Sequence, residues 1–179
     1  MKNMWYLIAA LTVAAVVLLS GCVKNPDTTI EEDGGVRHYV DTNAPKVIKS
    51  TQIVTFFCDF STLNLSMDSS PVAGRYYTLR AGQDGGSYEA RAGGEVFGEL
   101  KFTPDGAFFD ALQKIVSEHD LAQYNGQFCT VSGLPPDYGA VLDIRYDSGE
   151  TIHASDNQSC FLPMEAMEAL VMLFQGQNP

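Results

Sequence analysis

The sequence predicts an α+β domain: a mainly antiparallel sheet with two helices packed on one face. Three observations carry that expectation. Short runs of β-branched and aromatic residues are separated by Gly-rich and Asp-Gly turns, as in strands joined by hairpins. Two segments, opening at Thr103 and at Pro163, repeat apolar residues at helical spacing. Their order along the chain is strands, helix, strands, helix, which suits helices gathered on one side of an antiparallel sheet.

Ile53-Val54-Thr55-Phe56-Phe57-Cys58 is a continuous apolar and β-branched run and reads as a central strand. Leu63 and Leu65 alternate with polar neighbours and extend it toward a hairpin. Arg75–Arg80 and Tyr88–Ala92 flank Gly82-Gln83-Asp84-Gly85-Gly86, a second hairpin, and Gly93-Gly94 leads into a strand over Val96–Phe102. Thr103, Pro104 and Asp105 then supply an N-cap, a first helical position and a first-turn acid. Phe108, Leu112, Ile115, Val116 and His119 form one face of that helix, which should end near Asp120 or Leu121. After Asn125-Gly126 a strand is expected around Phe128–Val131, followed by a Gly133-Leu134-Pro135-Pro136 loop. Val141–Tyr146 and Thr151–Ala154 flank Asp147-Ser148-Gly149 as another hairpin. Pro163 opens the last helix, with Met164, Met167, Leu170, Val171 and Phe174 apolar and Gly176 just beyond it.

The amino terminus carries a different signal. Lys2 precedes an almost wholly apolar run from Met4 to Leu19, and Leu19-Ser20-Gly21-Cys22 follows. A basic start, an apolar run and small residues at a cut site describe an export signal. The last four residues resemble the lipobox of bacterial lipoproteins. That resemblance implies a diacylglyceryl group on the Cys22 thiol and cleavage just before it, with residues 1–21 removed as the signal peptide. The apolar run is slightly short for an uncleaved span, which needs roughly 20 residues. Two acyl chains suffice for stable anchoring. The expected location is therefore the extracytoplasmic face of a cell membrane, with the lipid on Cys22 as the membrane partner.

Without the signal, 158 residues remain, a length suited to one domain. The formal charge is −11 for the chain and −12 for residues 22–179, with 10 basic against 22 acidic side chains. So acidic a surface disfavours nucleic acid and anionic lipid as partners and keeps the domain soluble. Residues 22–50 are polar, carry Pro26 and Gly34-Gly35 and lack apolar periodicity, so they read as a flexible tether to a domain over 51–179. Within the tether, Val36–Val40 can form a brief strand docked on the domain. Cys58, Cys129 and Cys160 allow three different single disulfides or none.

Candidate chemistry gathers at the end of the last hairpin. His153, Asp156 and Cys160 lie close in sequence, and an imidazole that takes a thiol proton beside an orienting carboxylate makes a nucleophilic site. The structural alternative is a surface histidine followed by a polar loop and a cysteine near a helix start. Asp156-Asn157-Gln158 offers a polar ligand-binding loop, or equally a loop that caps the helix and satisfies turn backbone. This loop and the final helix also resemble the C-terminal segments of uncharacterised lipoproteins from anaerobic gut bacteria, a resemblance that implies no activity. Tyr76, Tyr77 and Tyr88 suit either a carbohydrate or peptide platform or a sheet face packed under a helix. His38, His119 and His153 are not at metal-ligand spacing with one another, and no GxSxG, HExxH, P-loop or GxGxxG motif calls for a cofactor. The function expected is a membrane-anchored envelope lipoprotein with a non-enzymatic binding or scaffolding domain, its partner an envelope protein or a small-molecule or glycan ligand. An anchored enzyme using Cys160 and His153 is the alternative.

Overall fold

Alternation along the central strand decides which side of the sheet becomes the core. Phe56, Cys58 and Phe60 are buried on one face, while Phe57 and Asp59 between them point to the other and are only half-buried. A computed structural model describes residues 31–33, 35–63, 70–134 and 138–177. Residues 1–30, with the expected export signal and Cys22, lie outside the described residues, as does Leu65. Among the described residues no helix is long and apolar enough to cross a membrane.

The elements in chain order are β1 (Glu31–Asp33), β2 (Val36–Val40), β3 (Ile53–Ser61), β4 (Tyr76–Gly82), β5 (Gly85–Ala92), β6 (Glu95–Phe102) and α1 (Gly106–Glu118). A 3-10 turn (Leu121–Tyr124) leads to β7 (Gln127–Val131), β8 (Ala140–Tyr146), β9 (Thr151–Asp156) and α2 (Met164–Gln175). The strands form one sheet in the order β1-β2-β7-β9-β8-β3-β4-β5-β6. Every pairing is antiparallel except β7 with β9. The fold is thus α+β, with a mainly antiparallel sheet and two helices on one face.

Turn chemistry accounts for the meander β4-β5-β6. Gly93 and Gly94 hold φ values of 57° and 86°, the left-handed pair that a two-residue hairpin turn matching strand twist requires. α1 begins two residues later than Thr103 suggests: Asp105 is the N-cap, and its carboxylate accepts a hydrogen bond from the backbone N–H of Phe108 at 2.8 Å. β3 ends at Ser61, and Leu63 is exposed rather than continuing it. α1 buries Phe108, Leu112 and Val116, and α2 buries Ala166, Met167, Leu170, Val171 and Phe174. Tyr77 and Tyr88 lie beneath these helices, and Gln175 of α2 donates a hydrogen bond to the Tyr88 hydroxyl at 2.7 Å.

Part of the stretch expected as tether is paired into the sheet. β2 pairs with β7 over five residues, from Val36 with Val131 to Val40 with Gln127, and β1 pairs with β2. The following segment is pinned as well. Asp41 N–H donates to the Gly126 carbonyl, Lys46 Nζ donates to the Asn125 carbonyl, and the Glu150 carboxylate accepts from the N–H groups of Lys49 and Ser50. Among the described residues, Glu31–Asp33 and Val36–Val40 therefore belong to the sheet although they fall within the stretch expected as tether. Polar residues mislead here because a strand at the sheet margin needs backbone partners more than apolar side chains.

Candidate functional site: the open face of the sheet

Among the described residues both helices cover one face, and the other is the surface that the sheet presents. Register places its side chains in rows. His153 of β9 sits opposite Asp143 of β8, Asp143 opposite Phe57 of β3, Phe57 opposite Arg80 of β4, Arg80 opposite Ser87 of β5, and Ser87 opposite Lys101 of β6. Two neighbouring pairs in this row interact. His153 Nδ1 lies 3.0 Å from Asp143 Oδ2, both side chains being about half exposed at 49%. The Arg80 guanidinium stands 4.4 Å from the centre of the Phe57 ring, a cation–π contact.

Beside this row lies an aromatic step. Tyr39 of β2 meets Phe128 of β7 with ring centres 5.3 Å apart, and Phe128 meets His153 at 5.2 Å. These three line a depression of about 330 Å³, walled also by Asn43, Asn125 and Thr151. In the next row, Asp59 of β3 faces Thr78 of β4, which in turn faces Glu89 of β5. Burial pushes the Asp59 carboxyl up, while hydrogen bonds from Thr78 and Tyr76 and the charges of Arg80 and Arg91 pull it back. Aromatic faces, one imidazole and charges of both signs are the groups this surface offers for binding.

The sequence-nominated residues are distributed otherwise than their spacing suggests. His153 and Cys160 are not brought together. Along β9, Ile152 and Ala154 are buried under the helices, so His153 projects to the open face. The Cys160 thiol lies on the helix side, its Sγ 3.5 Å from Met167 Sδ. Burial is the main reason its pKa is pushed up to about 11, with the Asp156 charge adding and a backbone hydrogen bond opposing. A thiol so shifted is the reverse of an activated nucleophile. Against the ordinary value of 9.0, its thiolate is about a hundredfold scarcer near neutral pH. Alkylation of Cys160 in the folded protein is accordingly expected to run at least about a hundredfold slower than in urea at the same pH, and to rise about tenfold per pH unit. Peptide mapping after timed iodoacetamide labelling measures this, and fast labelling near neutral pH would contradict it.

Asp156 and Asn157 serve the loop itself. Asp156 Oδ1 accepts from the N–H groups of Gln158 and Ser159 at 2.7 and 3.1 Å, and Oδ2 accepts from Ser159 Oγ. Asn157 mimics a strand: its Oδ1 accepts from Val131 N–H at 2.7 Å and its Nδ2 donates to the Val131 carbonyl at 2.9 Å. Gln158 is exposed. Cys58, Cys129 and Cys160 are all free thiols.

A Cys–His–Asp group does form, from residues far apart in the chain. Cys129 of β7 sits across from Asp156 of β9 and 3.9 Å from His38 Nε2 of β2, beside a cavity of about 220 Å³. Here too burial comes first, and the Asp156 charge and hydrogen bond push the thiol further up. Burial and the Asp156 carboxylate thus both favour the protonated thiol of Cys129. Among the described residues no three His, Cys, Asp or Glu side chains gather as a metal site.

Of the residues on the open face, the sequence nominates His153, for another role, and Tyr76, which alternates with the buried Tyr77 along β4. The Asp143–His153 pair had a signal, because in a hairpin turning at Ser148 positions 143 and 153 are equidistant from the turn. Tyr39 and Phe128 had none, since their contact depends on a pairing between strands about 90 residues apart. The chain matches no protein-family model, and no curated protein or solved structure is significantly similar to it.

Proposed function

We propose that this chain is a lipid-anchored envelope protein whose domain binds or scaffolds a partner through the open face of its sheet, without catalysis. The row His153–Asp143–Phe57–Arg80 carries the reading. It puts an imidazole–carboxylate pair and an arginine stacked on an aromatic ring on an uncovered surface, next to the Tyr39–Phe128 step. Stacked arginine and aromatic groups are the residues that dominate binding energetics. Anchoring rests on the lipobox-like Leu19-Ser20-Gly21-Cys22, with the lipid on Cys22 as the membrane partner. The acidic surface argues against nucleic acid as the partner and leaves an envelope protein or a glycan as the candidates.

The enzymatic alternative through Cys160 and His153 loses its geometry, because the two groups sit on opposite sides of the sheet. Two experiments test the proposal. Cys22→Ala should abolish palmitate incorporation and release the chain from the detergent phase; continued labelling removes the anchor. Photo-crosslinkers placed at Lys101, at the end of the same row and with its side chain 81% exposed, and at Met172, 68% exposed on α2, should capture partners on cells at Lys101 only. The Lys101 crosslinks should be lost in a Phe57→Ala background, and equal capture at both sites would reject the open face.

A further inference from the structure

A third cavity, separate from the two described above, lies on the helix side. It measures about 160 Å³ and opens between α1 and the segment that links β2 to β3, with Tyr146, Gln113, Lys46, Asp120, Val47 and Val116 in its wall. Two of these residues leave a polar atom unanswered. The Tyr146 hydroxyl and Gln113 Oε1 are both buried with no hydrogen-bond partner among the described residues. Tyr146 is only 2% exposed. Each orphan has lost its hydration without gaining a partner, and such groups are rare in native proteins unless something meets them.

We propose that this cavity binds a neutral, hydroxyl-rich small molecule, a polyol or monosaccharide, which pairs with the Tyr146 hydroxyl and the Gln113 carbonyl oxygen. Size is the first argument. A single water needs roughly 10–15 Å³ of such space, and drug-sized ligands occupy pockets from about 300 Å³ upward. The cavity at about 160 Å³ falls between them. Hydrogen-bond complementarity is the second. Gln113 Oε1 can only accept, so it requires a donor. Burial, with the Glu150 charge adding to it, pushes the Tyr146 hydroxyl up to about 12, so it stays protonated and can both donate and accept. A ligand hydroxyl satisfies both.

Charge is the third argument. Lys46 and Asp120 stand in the same wall, so its charges cancel and it offers no net field to select a cation or an anion over a neutral ligand. Val47 and Val116 supply apolar surface for the C–H face of such a molecule. The wall is also held in place. Lys46 Nζ donates to the Asn125 carbonyl, and Asp120 closes α1 in the left-handed region at φ 49°. The inference is independent of the open sheet face, since Tyr146 lies on the covered side.

The test uses the mature full-length chain with glycerol, myo-inositol, D-glucose and N-acetylglucosamine as neutral probes. Ethanolamine and acetate serve as the charged ones. At least one neutral probe should raise Tm saturably at millimolar concentration and shift the Gln113 side-chain amide resonances. Saturation separates binding from general polyol exclusion, which grows without limit. Tyr146→Phe should leave the unliganded Tm unchanged or higher, because it deletes an orphan, and should weaken the probe at least about tenfold. Gln113→Leu should do the same. Three outcomes would overturn the proposal: no neutral probe moves the Gln113 signals, the charged probes bind in preference, or Tyr146→Phe lowers the unliganded Tm.

Discussion

Phe174→Ala is expected to destabilise the domain by about 3–5 kcal/mol, the range for deleting a fully buried aromatic ring. Phe174 of α2 has no exposed surface. Its ring centre lies 5.2 Å from that of Phe108 on α1, 5.7 Å from Phe102 on β6 and 5.8 Å from Phe56 on β3. It therefore joins both helices to the edge and the centre of the sheet at once. The contacts with Phe102 and Phe108 are edge-on, at 82° and 83°, which adds quadrupole attraction to the area buried. Collapse around the vacated space is restricted because the neighbouring rings come from three different elements. Urea unfolding followed by far-UV circular dichroism measures the loss. Phe97→Ala is the matched control: Phe97 is 61% exposed on the edge strand β6, and its removal should change stability by less than about 1 kcal/mol. Similar losses for the two variants would show that Phe174 is not the keystone of the helix layer.

That contrast shows which parts of the molecule are legible in sequence. Phe174 was placeable because α2 repeats apolar residues at helical spacing between Pro163 and Gly176, and the pattern is local. The β8–β9 hairpin was placeable for the same reason, its turn and alternation lying within a few residues. The sequence marks α1 but not its cap. Thr103 and Pro104 satisfy the usual start signal, yet Asp105 is the residue whose carboxylate reaches the Phe108 N–H. What could not be read is pairing at long range. Nothing local tells β2 that its partner is β7, or that β7 runs parallel to β9. The Tyr39–Phe128–His153 step and the Cys129–His38 approach both follow from those two pairings. The candidate site was hidden because it is a product of register, and the nominated dyad failed because nearness in sequence said nothing about sheet face.

Asn125 shows the same limit at a single residue, and its substitution carries the second large effect. Asn125-Gly126 reads as a turn, but Asn125 is only 3% exposed and its amide ties three segments together. Its Nδ2 donates to the Pro45 carbonyl at 2.9 Å and to the Thr151 carbonyl at 2.8 Å, while its Oδ1 accepts from His153 N–H at 2.8 Å. Its own carbonyl accepts from Lys46. One side chain thus fixes the segment before β3 against β9 and forms part of the wall of the open-face depression. Asn125→Ala removes three hydrogen bonds and leaves their backbone partners in a partly buried setting, so a loss of about 2–4 kcal/mol is expected. Asn125→Asp should be at least as damaging near neutral pH. It keeps the acceptor for His153 N–H but turns a carboxylate toward the carbonyls of Pro45 and Thr151, where two donors stood. Because the added harm is electrostatic, the Asp variant should recover toward the Ala variant as pH falls below the range where its carboxyl ionises. Unfolding free energies measured at pH 7 and pH 4 test this. If Asn125→Ala costs less than about 1 kcal/mol, the amide is not the clamp, and the 41–50 segment must be held by Asp41 and Glu150 instead.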